Sequence, residues 1–239
     1  MRLVEADVVR GVDAVFALHC FSDMEVGNVG VRAGPVCAAV DNAYVTIHGQ
    51  GAHGAHPHLS IDPIHLAAQV ITGLHAIVSR RVRPIDPAVI TVGTIHGGTA
   101  ANVIPEEMTF SITIRSFDPG VRQTLHRGIA RALGGDYDLR IVEGYPTTVN
   151  DEDLTGLVGQ VGEELLGADQ VFTIEPTMGA EDFSCYLAQA PGCFFRLGTG
   201  FPGEEPRVGH IPRFDIDERA LPIGAAMLAA VARRYLGAK

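Results

Sequence analysis

The sequence predicts an α/β protein in which one domain is inserted into another. Between residues 43 and 143 the apolar patterns follow the order strand, helix, strand, strand, helix, strand, whereas strands and helices alternate in the segments on either side. The chain has 239 residues, of which 46% are hydrophobic and 19% are charged. It is therefore long enough to form one large or two small packed domains.

The outer domain is assigned to residues 1–41 and 150–239. Residues 1–9 resemble the end of a helix, and residues 13–19 (DAVFALH) predict a buried strand that ends in His19. An α/β domain rarely opens on such a strand, because a single strand cannot bury both of its faces. The later part predicts a helix at 151–166, a strand at 171–174, a helix at 181–189, a buried strand at 192–198 and a final helix at 217–236.

The inserted domain is assigned to residues 42–149. Its predicted elements are a strand at 43–48, a helix at 62–80 capped by Asp62, strands at 88–95 and 108–117, a helix at 118–133 and a strand at 137–143. This order is typical of a ferredoxin-like domain, which has a four-stranded antiparallel sheet with two helices on one face.

Composition excludes several functions. The net charge of −10 argues against a nucleic-acid partner, because such partners are held by phosphate contacts. The four cysteines have no CxxC spacing, which predicts free thiols in a reducing compartment rather than a disulfide framework. Residues 1–10 lack the apolar core of a secretory signal and residues 220–232 are too short to span a bilayer, so we expect a cytoplasmic protein without a membrane partner.

Two histidines are candidate metal ligands. His19 follows a predicted buried strand, at the end where ligands gather in open α/β sheets, and His210 lies in a Gly/Pro-rich loop before the last helix. On local grounds, a core histidine and an exposed loop histidine remain the alternatives.

The segment 49–58 (GQGAHGAHPH) holds three histidines among three glycines. Its glycines fit a G-x-G-x-x-G string, but no βαβ unit surrounds them, so nucleotide binding is not indicated. The segment also lacks a carboxylate or cysteine partner at metal-ligand spacing. His53 is the candidate here, and neither metal binding nor acid–base chemistry follows from spacing alone.

Three further polar residues are candidates for substrate binding. Asn102 lies in a predicted turn between strands, and Arg115 lies near a strand end, where its guanidinium suits a carboxylate. A salt bridge of Arg115 with Asp118 or Asp136 is the alternative. Glu181 is one of two acids at a predicted helix N-terminus, where capping is the simpler explanation.

Seven segments in a fixed order carry a resemblance that no single one of them establishes. They are DAVFALH, GPVCAAVDNAYVTIHGQGAHGAHPH, DPI, GGTAANVIPEE, TIRSFDP, MGAEDFS and GHIPRFD. Together they resemble the metal-dependent amidohydrolases that include hippurate hydrolase, N-acyl-amino-acid deacylases and auxin-conjugate hydrolases, which are related to aminoacylase and carboxypeptidase.

The resemblance implies a fold and a set of roles. The outer domain would be a partial, zinc-peptidase-like catalytic domain, and the insert a lid that makes homodimers. His19 and His210 match metal ligands, and His53 matches a lid histidine that faces the scissile carbonyl, often in the neighbouring protomer's site. Asn102 and Arg115 match lid residues that hold the substrate carbonyl and carboxylate, and Glu181 lies in a segment near the pocket.

The resemblance also implies what is missing. In that family further residues precede the matching segment and carry the other metal ligands and a Glu-Glu pair that includes the general base. The expected cofactors are two divalent metal ions, with zinc or manganese first and cobalt or nickel as alternatives. We therefore expect an incomplete site in a chain that is a fragment, a split gene product or a degenerate homologue.

The leading hypothesis is metal-dependent hydrolysis of the amide bond of N-acyl amino acids or similar small amides. A non-catalytic dimerisation or binding remnant of such an enzyme is the second hypothesis. A metal-free enzyme built on His53 alone is the third.

Overall fold

A computed structural model describes residues 2–207, 209 and 211–237, excluding the side chain of Arg2. The chain forms two compact units. Unit 1 contains the residues up to 37, residues 148–177 and those from 181 onward, and unit 2 contains residues 38–147 with 178–180. The assignment of a catalytic role and a lid role to two domains stays a prediction.

The strands, in chain order, are β1 (Val15–Glu25), β2 (Val29–Val31), β3 (Gly34–Cys37), β4 (Ala39–His48), β5 (Ala52–His53), β6 (Ala88–Gly97), β7 (Val103–Ile104), β8 (Glu107–Ser116), β9 (Asp136–Glu143), β10 (Thr148–Asn150), β11 (Val171–Thr173) and β12 (Gly192–Gly200). The helices are α1 (Arg2–Glu5), α2 (Pro63–Arg81), α3 (Pro119–Ala132), α4 (Glu152–Leu166), α5 (Ser184–Leu187) and α6 (Ala220–Gly237), with short 3-10 turns at Pro57–Leu59 and Ala168–Gln170.

Unit 2 has the predicted ferredoxin-like arrangement. Its antiparallel sheet has the order β6-β8-β4-β9. Both helices begin at predicted caps, since Asp62 accepts from the main-chain nitrogen of Ile64 at 2.9 Å and Asp118 accepts from that of Val121 at 2.9 Å. Apolar side chains of α2 and α3 form one core with the alternate buried residues of β4 and β8.

Glycine permits the close packing of α2 and α3. A Cβ atom on Gly128 of α3 would lie 2.7 Å from Ile77 Cγ2 on α2. A Cβ atom on Gly73 of α2 would meet nothing within 4 Å. Within this chain, the missing side chain of Gly73 therefore serves no packing purpose.

A buried charged network ties three elements of unit 2 together. The carboxylate of Asp41, on β4, is 1% exposed. Two side chains of α3 donate hydrogen bonds to it. Arg122 donates from Nε, at 2.7 Å, and from Nη2, and His126 donates from Nε2, at 2.6 Å. The main-chain nitrogen of Gly144, which follows β9, donates to it at 3.0 Å. Helix α3 is therefore linked to the sheet by an ion pair and hydrogen bonds as well as by apolar contacts.

Unit 1 is built on a mixed sheet with the order β1-β12-β2-β11. β1 runs parallel to β12, β12 is antiparallel to β2, and β2 is parallel to β11. Phe16 and Leu18 of β1, with Phe195 and Leu197 of β12, belong to a core that includes residues of α4 and α6. Ala17 and Phe194 belong instead to a smaller cluster with Val36, Cys37, Ile174 and Phe183. The two faces of this sheet are thus distinct.

Two predictions about unit 1 are wrong. The first strand does not end at His19, because it continues to Glu25 along the parallel ladder with β12. Nor is the helix expected at 181–189 formed over that length. It is one turn at Ser184–Leu187, preceded by turn structure. The short strands β2, β3, β5, β7 and β10 were not predicted.

In the described part of the chain, no helix has both the length and the apolar character that a bilayer crossing requires.

Candidate functional site

A two-strand pairing in unit 2 brings His53 and Asn102 together. β5 and β7 pair antiparallel, with Ala52 opposite Ile104 and His53 opposite Val103. Gly54 then donates its main-chain N–H to the Asn102 carbonyl at 2.7 Å. Both predicted side chains are exposed. The structure therefore gathers two of the three lid candidates at one end of the unit.

Local hydrogen bonding sets the tautomer of His53. Its Nδ1 accepts the main-chain N–H of Ala55 at 3.1 Å. In the neutral ring the proton must then be on Nε2, so the exposed edge of this imidazole carries a donor. A preorganised donor of this kind suits an oxygen on which negative charge develops.

An open cleft of about 850 Å³ lies beside this pairing. Its polar wall includes His53, His96, Thr99, Glu106 and Glu107. Glycines keep the main chain close here, because a Cβ atom on Gly51 would lie 3.1 Å from the Ile104 carbonyl oxygen. The cleft can hold a small polar group against the exposed imidazole.

Arg115 lies at the far end of the four-stranded sheet of unit 2. Glu107, which lines the cleft, opens β8, and Arg115 lies near its other end. At ~3.3 Å per residue, the eight steps between them cover about 26 Å. Arg115 Nη1 donates to the Met178 carbonyl at 3.1 Å. Within the described residues it forms no ion pair with Asp118 or Asp136, so the predicted salt-bridge alternative is wrong.

His19 has the opposite tautomer. It is exposed, which contradicts the core-histidine alternative. Its Nδ1 is 2.8 Å from the Cys20 carbonyl oxygen, which can only accept, so the proton is on Nδ1 and Nε2 keeps a free lone pair. An imidazole oriented in this way by a main-chain carbonyl is suited to bind a metal.

Glu181 lies within electrostatic reach of His19. Burial is the largest influence and raises the pKa of Glu181, whereas a hydrogen bond from the Phe183 main chain and the nearby His19 act in the opposite direction. Its carboxylate accepts from the Phe183 nitrogen at 3.3 Å, in the turn before α5. This bond lies in the turn and does not cap α5, so the capping explanation is wrong for Glu181. A carboxyl group with a raised pKa is suited to exchange a proton.

The described residues do not form a metal site by themselves. His210 lies outside them. Among those described, no three His, Cys, Asp or Glu side chains are close enough together to hold a metal ion by themselves. The free Nε2 of His19 fits one ligand of such an ion, and further ligands would have to come from outside the described residues.

Comparison with known proteins gives a consistent result. Residues 40–137 match the peptidase dimerisation domain, M20_dimer. The chain is 38% identical to N-acetyl-L-cysteine deacetylase of Bacillus subtilis, over 98% of this chain and 57% of that protein. It is 36% identical to thermostable carboxypeptidase 1 of Saccharolobus solfataricus, over 98% of this chain and 61% of that protein.

A solved structure agrees with these matches. The YXEP protein of Bacillus subtilis, a dinuclear metal-binding peptidase of the M20 family, superposes with a TM-score of 0.75 at 31% identity. The match covers 97% of this chain and 59% of that one. The chain therefore contains a peptidase dimerisation domain of the M20 type and is similar over nearly its whole length to peptidases and amidohydrolases. It spans about three fifths of the length of the first curated relatives it matches.

Proposed function

We propose that this chain takes part in the metal-dependent hydrolysis of the amide bond of N-acyl amino acids or similar small amides. The observation that carries the proposal is that two histidines have opposite neutral tautomers. His19 has a lone pair on Nε2, and His53 has an N–H donor on Nε2. Matches to a deacetylase and to a carboxypeptidase over 98% of the chain support the same reaction class.

The chain's own residues divide the work. His19, with His210, would hold divalent metal ions, which polarise an amide carbonyl and lower the pKa of a bound water when present. His53 donates from Nε2 to the carbonyl oxygen as it gains charge. Asn102 and Arg115 orient the substrate through its carbonyl and carboxylate, and Glu181 borders the site.

The geometry of unit 2 supports a homodimer. Glu107, which lines the cleft with His53, and Arg115 are about 26 Å apart along β8 at ~3.3 Å per residue, which is too far for one small amide to span. A site that uses both His53 and Arg115 must take them from two copies, which suits a two-fold assembly. The match of residues 40–137 to a dimerisation domain supports this assembly.

One sheet edge is better suited to join the copies. β6 is an edge strand of ten residues without a charged side chain, and its last five residues are exposed. The opposite edge, β9, carries Asp136, Asp138, Arg140 and Glu143. Charged side chains protect a sheet edge from pairing. The proposed interface is therefore β6 with the adjoining helix α2.

The test is complementation between two defective variants. Purified chain is assayed against N-acetyl and N-benzoyl amino acids with added manganese or zinc. His53→Ala and Arg115→Ala are each expected to lower turnover by about 100-fold or more. In randomly mixed dimers, half the molecules are mixed and each keeps one intact site, so about a quarter of wild-type activity should return.

The second candidate is a non-catalytic dimerisation module. It is favoured by the family-domain match, which falls within unit 2. A folded, dimeric sample that turns over no amide with either metal would support this candidate and contradict the enzyme.

A further inference from the structure

Two buried guanidinium nitrogens next to His19 have no hydrogen-bond acceptor among the described residues. Arg196 lies at the centre of β12, directly opposite His19 of β1 in the parallel ladder. Its Nε and Nη2 atoms are buried, and no described residue accepts a hydrogen bond from either. Buried polar atoms in proteins are nearly always paired, so this exception requires an explanation.

Strand alternation places Arg196 and His19 on the same face of the sheet. Phe195, Leu197 and Leu18, their sequence neighbours, belong to the core that includes α4 and α6. Phe194 belongs to the cluster on the opposite face, and its ring lies 6.3 Å from the imidazole of His19. The guanidinium therefore shares a face with the predicted metal ligand.

The surroundings keep Arg196 positively charged but supply no hydrogen-bond acceptor from the described residues for Nε or Nη2. Its Cζ lies 4.3 Å from the centre of the Phe21 ring, on which the guanidinium stacks. Asp23 and Cys37 act on it only through space, and burial is the main influence that lowers the pKa of Arg196. Burial also raises the pKa of the Cys37 thiol to about 11, so this thiol offers no anion.

We propose that Arg196 receives a carboxylate of the ligand that binds beside His19. A carboxylate matches the guanidinium fork in shape and charge and would satisfy the unpaired donors. The inference rests on the proposed function, in which the α-carboxylate of an N-acyl amino acid is bound by another residue. Arg196 then selects a second one, so the preferred substrates are N-acyl derivatives of aspartate or glutamate.

The test compares two ligands that differ in one charge. Calorimetric titration of the wild-type chain is carried out with N-acetyl-L-glutamate and with its neutral isostere N-acetyl-L-glutamine. Tighter binding of the glutamate form, by roughly tenfold to a hundredfold, is expected. Arg196→Met should abolish this preference and leave the affinity for the glutamine form unchanged. Arg233→Met, which removes an exposed charge from α6, is the matched control and should keep the preference.

Stability separates ligand binding from a structural role. Without ligand, Arg196→Met should melt at the same temperature as the wild type or higher, because it removes an unpaired buried charge. A lower melting temperature together with an unchanged ligand preference would overturn the inference. So would a wild-type chain that does not distinguish the two ligands, which would leave the carboxylate to come from another polypeptide segment.

Hydrolysis assays distinguish the two proposals. If N-acyl amino acids are cleaved with the same glutamate preference in wild type and Arg196→Met, the proposed function stands and the role of Arg196 fails. If binding depends on Arg196 but no amide is cleaved, the role of Arg196 stands and the proposed function fails.

Discussion

Gly54 and Asn102 meet through their main chains, with 2.7 Å between the Gly54 nitrogen and the Asn102 carbonyl oxygen. A Cβ atom on Gly54 would lie 3.1 Å from that same oxygen. A side chain at residue 54 would therefore displace the Asn102 main chain by a few tenths of an ångström and disturb this hydrogen bond.

Substitution of Gly54 should therefore alter the site more than the fold. Gly54→Val is expected to displace His53 from Asn102 and to lower amide hydrolysis by about tenfold or more, since a misplacement of ~1 Å can cost 100-fold. Kinetic assays with circular dichroism measure both effects. Gly134→Val, in an exposed position with open space after α3, is the control. Equal activity of Gly54→Val and wild type would show that the pairing does not position His53.

Two helix glycines in unit 2 should respond in opposite directions to the same substitution. Gly73→Ala has open space and should stabilise the protein by about 0.5–1 kcal/mol, the intrinsic gain for a helix interior. Gly128→Ala forces a Cβ atom against Ile77 and should cost about 1–3 kcal/mol instead. Urea denaturation of the two variants gives the comparison. A stabilising Gly128→Ala would mean that α2 and α3 can separate at no cost.

The Asp41 network predicts a stability loss in acid. Burial alone would raise the pKa of Asp41, but hydrogen bonds from Arg122, Gly144 and His126 outweigh it and hold the pKa below its ordinary value. A carboxyl group of this kind stabilises the fold above its unfolded pKa of about 3.9 and loses that contribution as the pH falls through the lower folded value. Thermal melts between pH 7 and pH 2 should show the decline.

Asp41→Asn should remove this part of the pH dependence and cost about 3 kcal/mol at neutral pH, because Arg122 then keeps only Glu143, at 3.8 Å, as a counter-ion. Asp138→Asn is the control, since Asp138 pairs with His48 at the surface and should have little effect on stability. A melting curve of Asp41→Asn that matches wild type at every pH would contradict the assigned role.

The proposed dimer edge can be tested with one charge on each side of the sheet. Ile95→Lys alters β6, where Ile95 is 50% exposed, and should give monomers by light scattering after size exclusion. Val142→Lys alters β9, where Val142 is 39% exposed, and should leave dimers intact. Dimers in the first variant and monomers in the second would move the interface to β9.

The inserted domain was the part best predicted from sequence. Its helices are amphipathic and begin at Asp62 and Asp118, and its strands alternate, so local signals and the fold agree. Unit 1 was predicted less well. β1 extends past His19 because β12 pairs with it, and a partner far along the chain leaves no local trace. Very short strands such as β5 and β7 are also set by tertiary pairing.

The candidate site was also predicted only in part from the sequence. The resemblance assigns roles to six residues, which stay predictions, and spacing could not show which of them are neighbours. They are His19, His53, Asn102, Arg115, Glu181 and His210. Arg196 was missed although a signal was present, since a lone arginine interrupts the apolar run CFFRLG of a buried strand. The tautomers of the two histidines depend on main-chain groups whose positions only the fold provides.

The parallel ladder between β1 and β12 also constrains how this chain acquires its shape. Val15 pairs with Gly192, which is synthesised 177 residues later, so β1 emerges from the ribosome long before its partner strand. Residues 38–147, by contrast, find most of their contacts among themselves. We expect the insert to become ordered first during synthesis. Once compact, it shortens the loop that the flanking segments must close, and so lowers the entropy lost in joining them.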